Sequence, residues 1–89
     1  MFTGIIETLT RVVKIEKEDT NYHFTFQSSF TNELKIDQSV AHNGVCLTVV
    51  AIEDDKYVVT AIDETMKRTN MSLLKEGDMV NFERCTQVG

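Results

Sequence analysis

Chemically capable side chains are concentrated in the segment Ala41–Val49, which carries an imidazole, a thiol and a hydroxyl group. The Asn43-Gly44 dipeptide within it predicts a tight turn, because both residue types tolerate positive φ. In the β-branched run that follows, Cys46 and Thr48 alternate with apolar residues and therefore share one face of a strand. A thiol beside a hydroxyl on one face could line a pocket, although cysteine is also a common core residue.

The two histidines have different expected environments. His42 precedes the turn and could act as a general base, or could anchor the turn through a hydrogen bond to the backbone. His23 lies on the polar parity of its strand, so we expect its ring to be solvated. No Cys-x-x-Cys or His-x-x-x-His spacing, phosphate-binding glycine loop or dinucleotide fingerprint occurs. The sequence therefore predicts neither a metal site nor a cofactor.

A second polar cluster, Asp63-Glu64-Thr65, follows an apolar β-branched segment. Its carboxylates and hydroxyl could contact a ligand at the end of a strand. Alternatively, Asp63 or Thr65 could cap the helical turn that the following residues predict.

The amino-acid composition indicates a folded domain and argues against nucleic acid as its partner. With 42% hydrophobic residues and 26% charged residues, the chain of 89 residues has the balance of one folded domain. Its net charge of -5 and the scattered lysines and arginines exclude the basic surface that binds nucleic acid. No apolar run spans a bilayer and no charged leader opens the sequence, so we expect a cytoplasmic protein with Cys46 and Cys85 as free thiols.

The pattern of elements predicts an all-β fold. One or two helical turns are expected in Phe30–Leu34, capped by a serine of Ser28-Ser29, and again in Asp63–Leu74. Short strands with few helices favour a sandwich or a small closed barrel, and we predict a barrel because closure removes exposed sheet edges. The predicted strands are Ile5–Ile15, Tyr22–Gln27, Ser39–His42, Val45–Glu53, Tyr57–Ile62 and Met79–Arg84.

Several motifs resemble the amino-terminal half of riboflavin synthase, and related forms occur in lumazine- and flavin-binding antenna proteins. They are MFTGIIE at 1–7, SVAHNGVCLTV at 39–49, the pairs Glu64-Thr65 and Thr69-Asn70, and KEGDMVNFE at 75–83. The resemblance implies a six-stranded antiparallel Greek-key barrel with one or two short helices. It also implies an activity: riboflavin synthase converts two molecules of 6,7-dimethyl-8-ribityllumazine into riboflavin and 5-amino-6-ribitylamino-uracil, without a cofactor.

The same resemblance implies a shallow groove that binds a lumazine or flavin ring. Cys46, Ser39 and Phe2 are the catalytic candidates it implies, and His42 is a further group that could assist proton transfer. Holding two rings face to face would supply much of the acceleration. The ligand-binding residues it implies are Gly4, Ile5, Ile6, Ser39, Cys46, Leu47, Thr48, Thr60, Ala61, Ile62, Asp63, Glu64 and Thr65.

The chain departs from the full enzyme in having one barrel, over residues 1–89, where the enzyme has two and assembles as a trimer. We therefore expect a lumazine- or riboflavin-binding domain that forms a homodimer and has little or no turnover. The segment Thr69–Ser72 also lacks the glycine often found after the Thr-Asn pair. A non-catalytic lumazine or flavin carrier is the alternative function.

Overall fold

Six antiparallel strands close into one barrel in the computed structural model, which describes residues 8–84. Around the barrel the strands follow the order β1-β2-β5-β4-β3-β6. The α-helix α1 spans Asp63–Arg68, and 3₁₀ turns span Thr31–Glu33 and Asn70–Leu73. The expected all-β barrel with short helices is confirmed. Its strands are β1 (Thr8–Glu18), β2 (Asn21–Gln27), β3 (Ser39–His42), β4 (Val45–Glu53), β5 (Lys56–Ala61) and β6 (Met79–Arg84).

Strand β1 continues to Glu18, beyond its predicted end at Ile15, because its last residues pair with the start of β2. Glu18 lies opposite Asn21, which leaves a two-residue turn between the strands. Asp19 in that turn has a φ of 55°, as tight hairpin turns require. The polar residues that follow Ile15 therefore form the end of a solvent-facing hairpin and not a longer loop.

A β-bulge redirects the side chains of β1. The register against β2 shifts between Val12 and Lys14. Before the bulge Thr10 and Val12 face the core, and after the bulge Ile15 packs against the core. Strict alternation would place Leu9 and Ile15 on the same face of the strand, but Leu9 is exposed. An extra residue changes which parity faces inward, and this change has no clear signature in the sequence.

The barrel interior is filled by aromatic rings. Phe26 stacks on Tyr57 with ring centroids 5.5 Å apart, and Phe30 covers Phe82 with centroids 4.3 Å apart. The predicted alternation of β2 is confirmed, since Phe24 and Phe26 are fully buried. Because the core is packed with side chains, any ligand must meet the outer surface of the barrel.

The turn at Asn43-Gly44 has the predicted backbone conformation. The φ angles are 51° and 86°, the positive values of a tight hairpin turn between β3 and β4. Asn43 also ties this turn to β6, because its backbone N–H donates to the carbonyl of Asn81 (2.8 Å) and its side-chain oxygen accepts from the Asn81 N–H (3.0 Å). The turn therefore holds the start of β4 in a defined register.

Candidate functional site

Three hydroxyl groups form a row across the outside of the barrel. Ser39 on β3 lies directly opposite Thr48 on β4, and Thr48 lies opposite Thr60 on β5. Side chains of directly opposite residues share one face of a sheet, and neighbouring strands are about 4.8 Å apart. Ser39 and Thr48 are exposed and Thr60 is half-buried. We call Ser39, Thr48 and Thr60 the hydroxyl row, and it is the polar centre of the candidate site.

Cys46 lies beside the hydroxyl row on the same face of β4. The prediction that Cys46 and Thr48 point away from the core is confirmed, since both are exposed while Leu47 and Val49 are buried. Cys46 is disulfide-bonded, so the expectation of a free thiol is wrong for this residue. Cys85 lies outside the described residues. Because the thiolate is the nucleophilic form of cysteine, Cys46 could attack a substrate only after reduction.

The candidate residues at the end of β5 separate into core and surface positions. Ala61 is buried, so only its backbone could meet a ligand, as is also true of Leu47 on β4. Ile62 is 53% exposed at the junction between β5 and α1. An exposed isoleucine beside a row of hydroxyl groups offers the apolar contact area that a planar heterocycle needs.

The carboxylates of α1 are engaged within the helix. Asp63 lies 3.0 Å from the ammonium of Lys67, and Glu64 lies 2.9 Å from the guanidinium of Arg68. These pairs are exposed and each stabilises α1 only slightly. The expected side-chain cap is wrong at both helical segments: the N-cap residues are Ile62 for α1 and Phe30 for the first 3₁₀ turn, and neither makes a side-chain cap bond.

Thr69 connects α1 to the second 3₁₀ turn and so fixes the backbone that carries Thr65. Its hydroxyl donates to the carbonyl of Thr65 (2.7 Å) and accepts from the N–H of Met71 (3.2 Å). Replacing Thr69 by valine removes both bonds with little change of shape. We expect the free energy of unfolding to fall by about 1 kcal/mol in urea denaturation. Thr69→Ser should retain most of that stability, and equal stability of the valine variant would contradict this role for the hydroxyl.

His42 is a core residue, so both expectations for it are wrong. Its side chain is fully buried and stacks on Phe26 with ring centroids 4.3 Å apart. The Nε2 atom lies 2.8 Å from the Tyr57 hydroxyl, which donates in turn to Thr10 (3.2 Å). Since that hydroxyl gives its proton to Thr10, Nε2 must carry a proton and donate to Tyr57. His42 therefore neither anchors the turn nor reaches the outer face.

Burial controls the ionisation of His42 and Tyr57 in this hydrogen-bonded series. It lowers the pKa of His42 from an ordinary 6.5 to about 3, and it raises the pKa of Tyr57 well above the usual value. The backbone of Val40 partly opposes the shift at His42, yet Nδ1 makes no well-formed hydrogen bond with a described group. His42 is consequently neutral at physiological pH.

His23 is a neighbour of the hydroxyl row that sequence patterning did not identify. It lies opposite Thr60, and its Nδ1 is 2.9 Å from the Thr60 hydroxyl oxygen. The alternation of β2 indicated an outward ring, but nothing in it indicated a partner, since β2 pairs with β5 across a long connection. The ring is half-buried and hydrogen-bonded, so the expectation of a solvated side chain is wrong.

Four of the implied site residues lie outside the described residues, namely Phe2, Gly4, Ile5 and Ile6. Within residues 8–84, no three His, Cys, Asp or Glu side chains are arranged to hold a metal ion. None of the helices in that range is long and apolar enough to cross a membrane.

Three depressions lined by described residues lie away from the hydroxyl row. One of about 280 Å³ lies beside the β4–β5 hairpin and is bordered by Thr25 and Glu53. Another, about 440 Å³ and shallow, lies between Leu9 and Met79 at β1 and β6. The third, of about 220 Å³, is bordered by Ser28 and by the turn between β4 and β5. None of the three brings together groups with a recognisable chemistry, so the hydroxyl row remains the candidate site.

Comparison with known sequences identifies the family. Residues 3–85 match the family described as the lumazine binding domain. The chain belongs to the lumazine-binding domain family. This domain is 43% identical to riboflavin synthase of Buchnera aphidicola subsp. Schizaphis graminum, covering 100% of the domain and 44% of the relative. It is 38% identical to riboflavin synthase of Escherichia coli K12, covering 98% and 42% respectively. The resemblance to riboflavin synthase is confirmed, and the lumazine-binding domain spans less than half the length of these relatives.

Solved structures of LumP are similar to the lumazine-binding domain over its whole length. One, a complex with 6,7-dimethyl-8-(1'-D-ribityl) lumazine, superposes with a TM-score of 0.87 at 27% identity, and the domain covers 50% of that chain. A complex of LumP with riboflavin gives a TM-score of 0.86 at 26% identity and covers 51%. The fold is therefore shared with proteins whose structures contain a lumazine or a flavin.

Proposed function

We propose that this chain binds 6,7-dimethyl-8-ribityllumazine or riboflavin as the amino-terminal barrel of a riboflavin synthase. The observation that carries the proposal is the hydroxyl row, which lies on the outer face of a barrel similar to LumP in complex with both ligands. Residues 1–89 would form one lumazine-binding domain. The strand order β1-β2-β5-β4-β3-β6 supports the Greek-key connectivity that the family resemblance implies.

The proposed ligand contacts divide between side chains and backbone. A heterocycle with several donors and acceptors suits the hydroxyls of Ser39, Thr48 and Thr65, and Ile62 supplies apolar contact. Where a residue's side chain is buried, its backbone N–H and C=O groups would form the hydrogen bonds to the edge of the ligand ring. The proposed ligand-binding residues remain Gly4, Ile5, Ile6, Ser39, Cys46, Leu47, Thr48, Thr60, Ala61, Ile62, Asp63, Glu64 and Thr65.

The parent protein would be a transferase that moves a four-carbon unit between two lumazine molecules. Placing two rings face to face converts an encounter in solution into a reaction between oriented neighbours, which can supply much of the acceleration. No cofactor is needed for that step. Ser39, Cys46 and Phe2 are the proposed catalytic residues, with Cys46 acting in its reduced form.

A single barrel would offer only half of the site that holds two rings. We therefore propose a homodimer for the isolated domain, a trimer for the full-length enzyme, and a cytoplasmic location for both. The isolated domain should bind ligand with little or no turnover. A second candidate function is a non-catalytic lumazine or flavin carrier, which the similarity to LumP supports because LumP uses this fold in complexes with both ligands.

Binding and turnover distinguish these functions. The purified domain is titrated with riboflavin while flavin fluorescence and sedimentation are followed, and is then supplied with 6,7-dimethyl-8-ribityllumazine. We expect quenching at micromolar riboflavin, a dimer, and no more than slight formation of new riboflavin. Absence of quenching would overturn the proposed function. If adding a carboxy-terminal barrel of riboflavin synthase in trans produces turnover, the domain is half of an enzyme; continued binding without turnover favours the carrier.

A further inference from the structure

His23 extends the hydroxyl row by one strand. The strand register places it opposite Thr60 on β5 and opposite Glu16 on β1, so all three side chains share the outer face. Its ring is half-buried, and Nδ1 lies 2.9 Å from the Thr60 hydroxyl oxygen. A contact of that length is a hydrogen bond in which either atom could carry the proton.

The charges around His23 favour one direction for this bond. Glu18 lies 3.5 Å from Nε2 on the other side of the ring, and Glu16 faces the ring from β1 while also lying 3.5 Å from the ammonium of Lys14. A carboxylate beside Nε2 favours the tautomer with its proton there. Nδ1 then accepts the Thr60 proton, and both lone pairs of the Thr60 oxygen remain available.

We propose that His23 is a positioning residue that presents the Thr60 hydroxyl to the ligand as a hydrogen-bond acceptor. The inference rests on the proposed function and deepens it by specifying the chemistry of one ligand contact. The matching ligand group is an uncharged donor, such as a ring N–H or a ribityl hydroxyl. The adjacent carboxylates of Glu16 and Glu18 disfavour an anionic group at this position.

Substitutions separate a positioning role from packing. We expect His23→Leu and Thr60→Val each to weaken riboflavin binding about five-fold, which corresponds to one ordinary hydrogen bond. The double variant should lose little more than either single variant, because both remove the same interaction. His23→Asn carries a side-chain oxygen near the position of Nδ1, so it should restore most of the affinity. Thr25→Val, on the same face of β2, is the matched control and should bind as the unsubstituted chain does.

A second measurement begins with the ligand-free domain. The ¹⁵N chemical shifts of the His23 ring in the free domain should report the tautomer protonated at Nε2, and they should change when riboflavin binds. Additive losses, failure of His23→Asn to restore binding, or a proton on Nδ1 would each overturn the inference while leaving riboflavin binding by the unsubstituted chain intact. If the unsubstituted chain does not bind riboflavin, the proposed function and this inference both fail.

Discussion

Lowering the pH from 7 to 4.5 is expected to reduce the free energy of unfolding by about 2.5 kcal/mol through His42 alone. Each unit of pKa difference is worth about 1.4 kcal/mol, and the pKa of His42 falls from 6.5 to about 3 on folding. Because the unfolded chain takes up the proton first, stability is unaffected well above pH 6.5 and is lost progressively as the pH falls toward 3. Urea denaturation at pH 7, 5.5 and 4.5 measures how steeply the free energy of unfolding changes with pH.

His42→Gln is the control for this pH dependence. Glutamine can still donate a hydrogen bond toward Tyr57 but does not titrate, and the variant keeps every carboxylate of the parent chain. The variant will be less stable at pH 7 because an aromatic ring that stacks on Phe26 is lost. The contribution of His42 is the difference between the parent chain and the variant in how the free energy of unfolding changes with pH. If the two change in parallel, the buried ring does not control acid stability.

Replacing Thr48 by tyrosine is expected to weaken riboflavin binding by at least about 30-fold, equivalent to roughly 2 kcal/mol. Thr48 is the middle member of the hydroxyl row and is exposed, so a large ring there occupies the space in which a planar ligand must lie. The free energy of unfolding should change by no more than about 0.5 kcal/mol, since surface substitutions in strands are usually mild. Fluorescence titration and urea denaturation measure the two effects.

Thr25→Tyr is the matched substitution away from the proposed groove. Thr25 lies on the outer face of β2 opposite Val58 and does not belong to the hydroxyl row. This variant should bind riboflavin as tightly as the unsubstituted chain. Tight binding by Thr48→Tyr, or equal losses in the two variants, would mean that the ligand does not lie over the hydroxyl row.

The sequence by itself determined the class of fold and the local devices that build it. Period-two alternation predicted β2 with Phe24 and Phe26 inward, and Asn43-Gly44 predicted the turn that precedes β4. Both signals are local, because side-chain direction along a strand and tolerance of positive φ depend on neighbouring residues. The outward direction of Cys46 and Thr48 followed from the same alternation.

Only the tertiary structure decided which of these side chains meet. The bulge in β1 exposed Leu9, and closure of the barrel enclosed His42 in a hydrogen-bonded chain with Tyr57. Pairing of β2 with β5 brought His23 to Thr60, although 37 positions separate them in the sequence. Such contacts depend on strand order and register, which join residues distant in the chain. Alternation specifies the face on which a side chain lies, and only the folded sheet specifies its neighbour across the ladder.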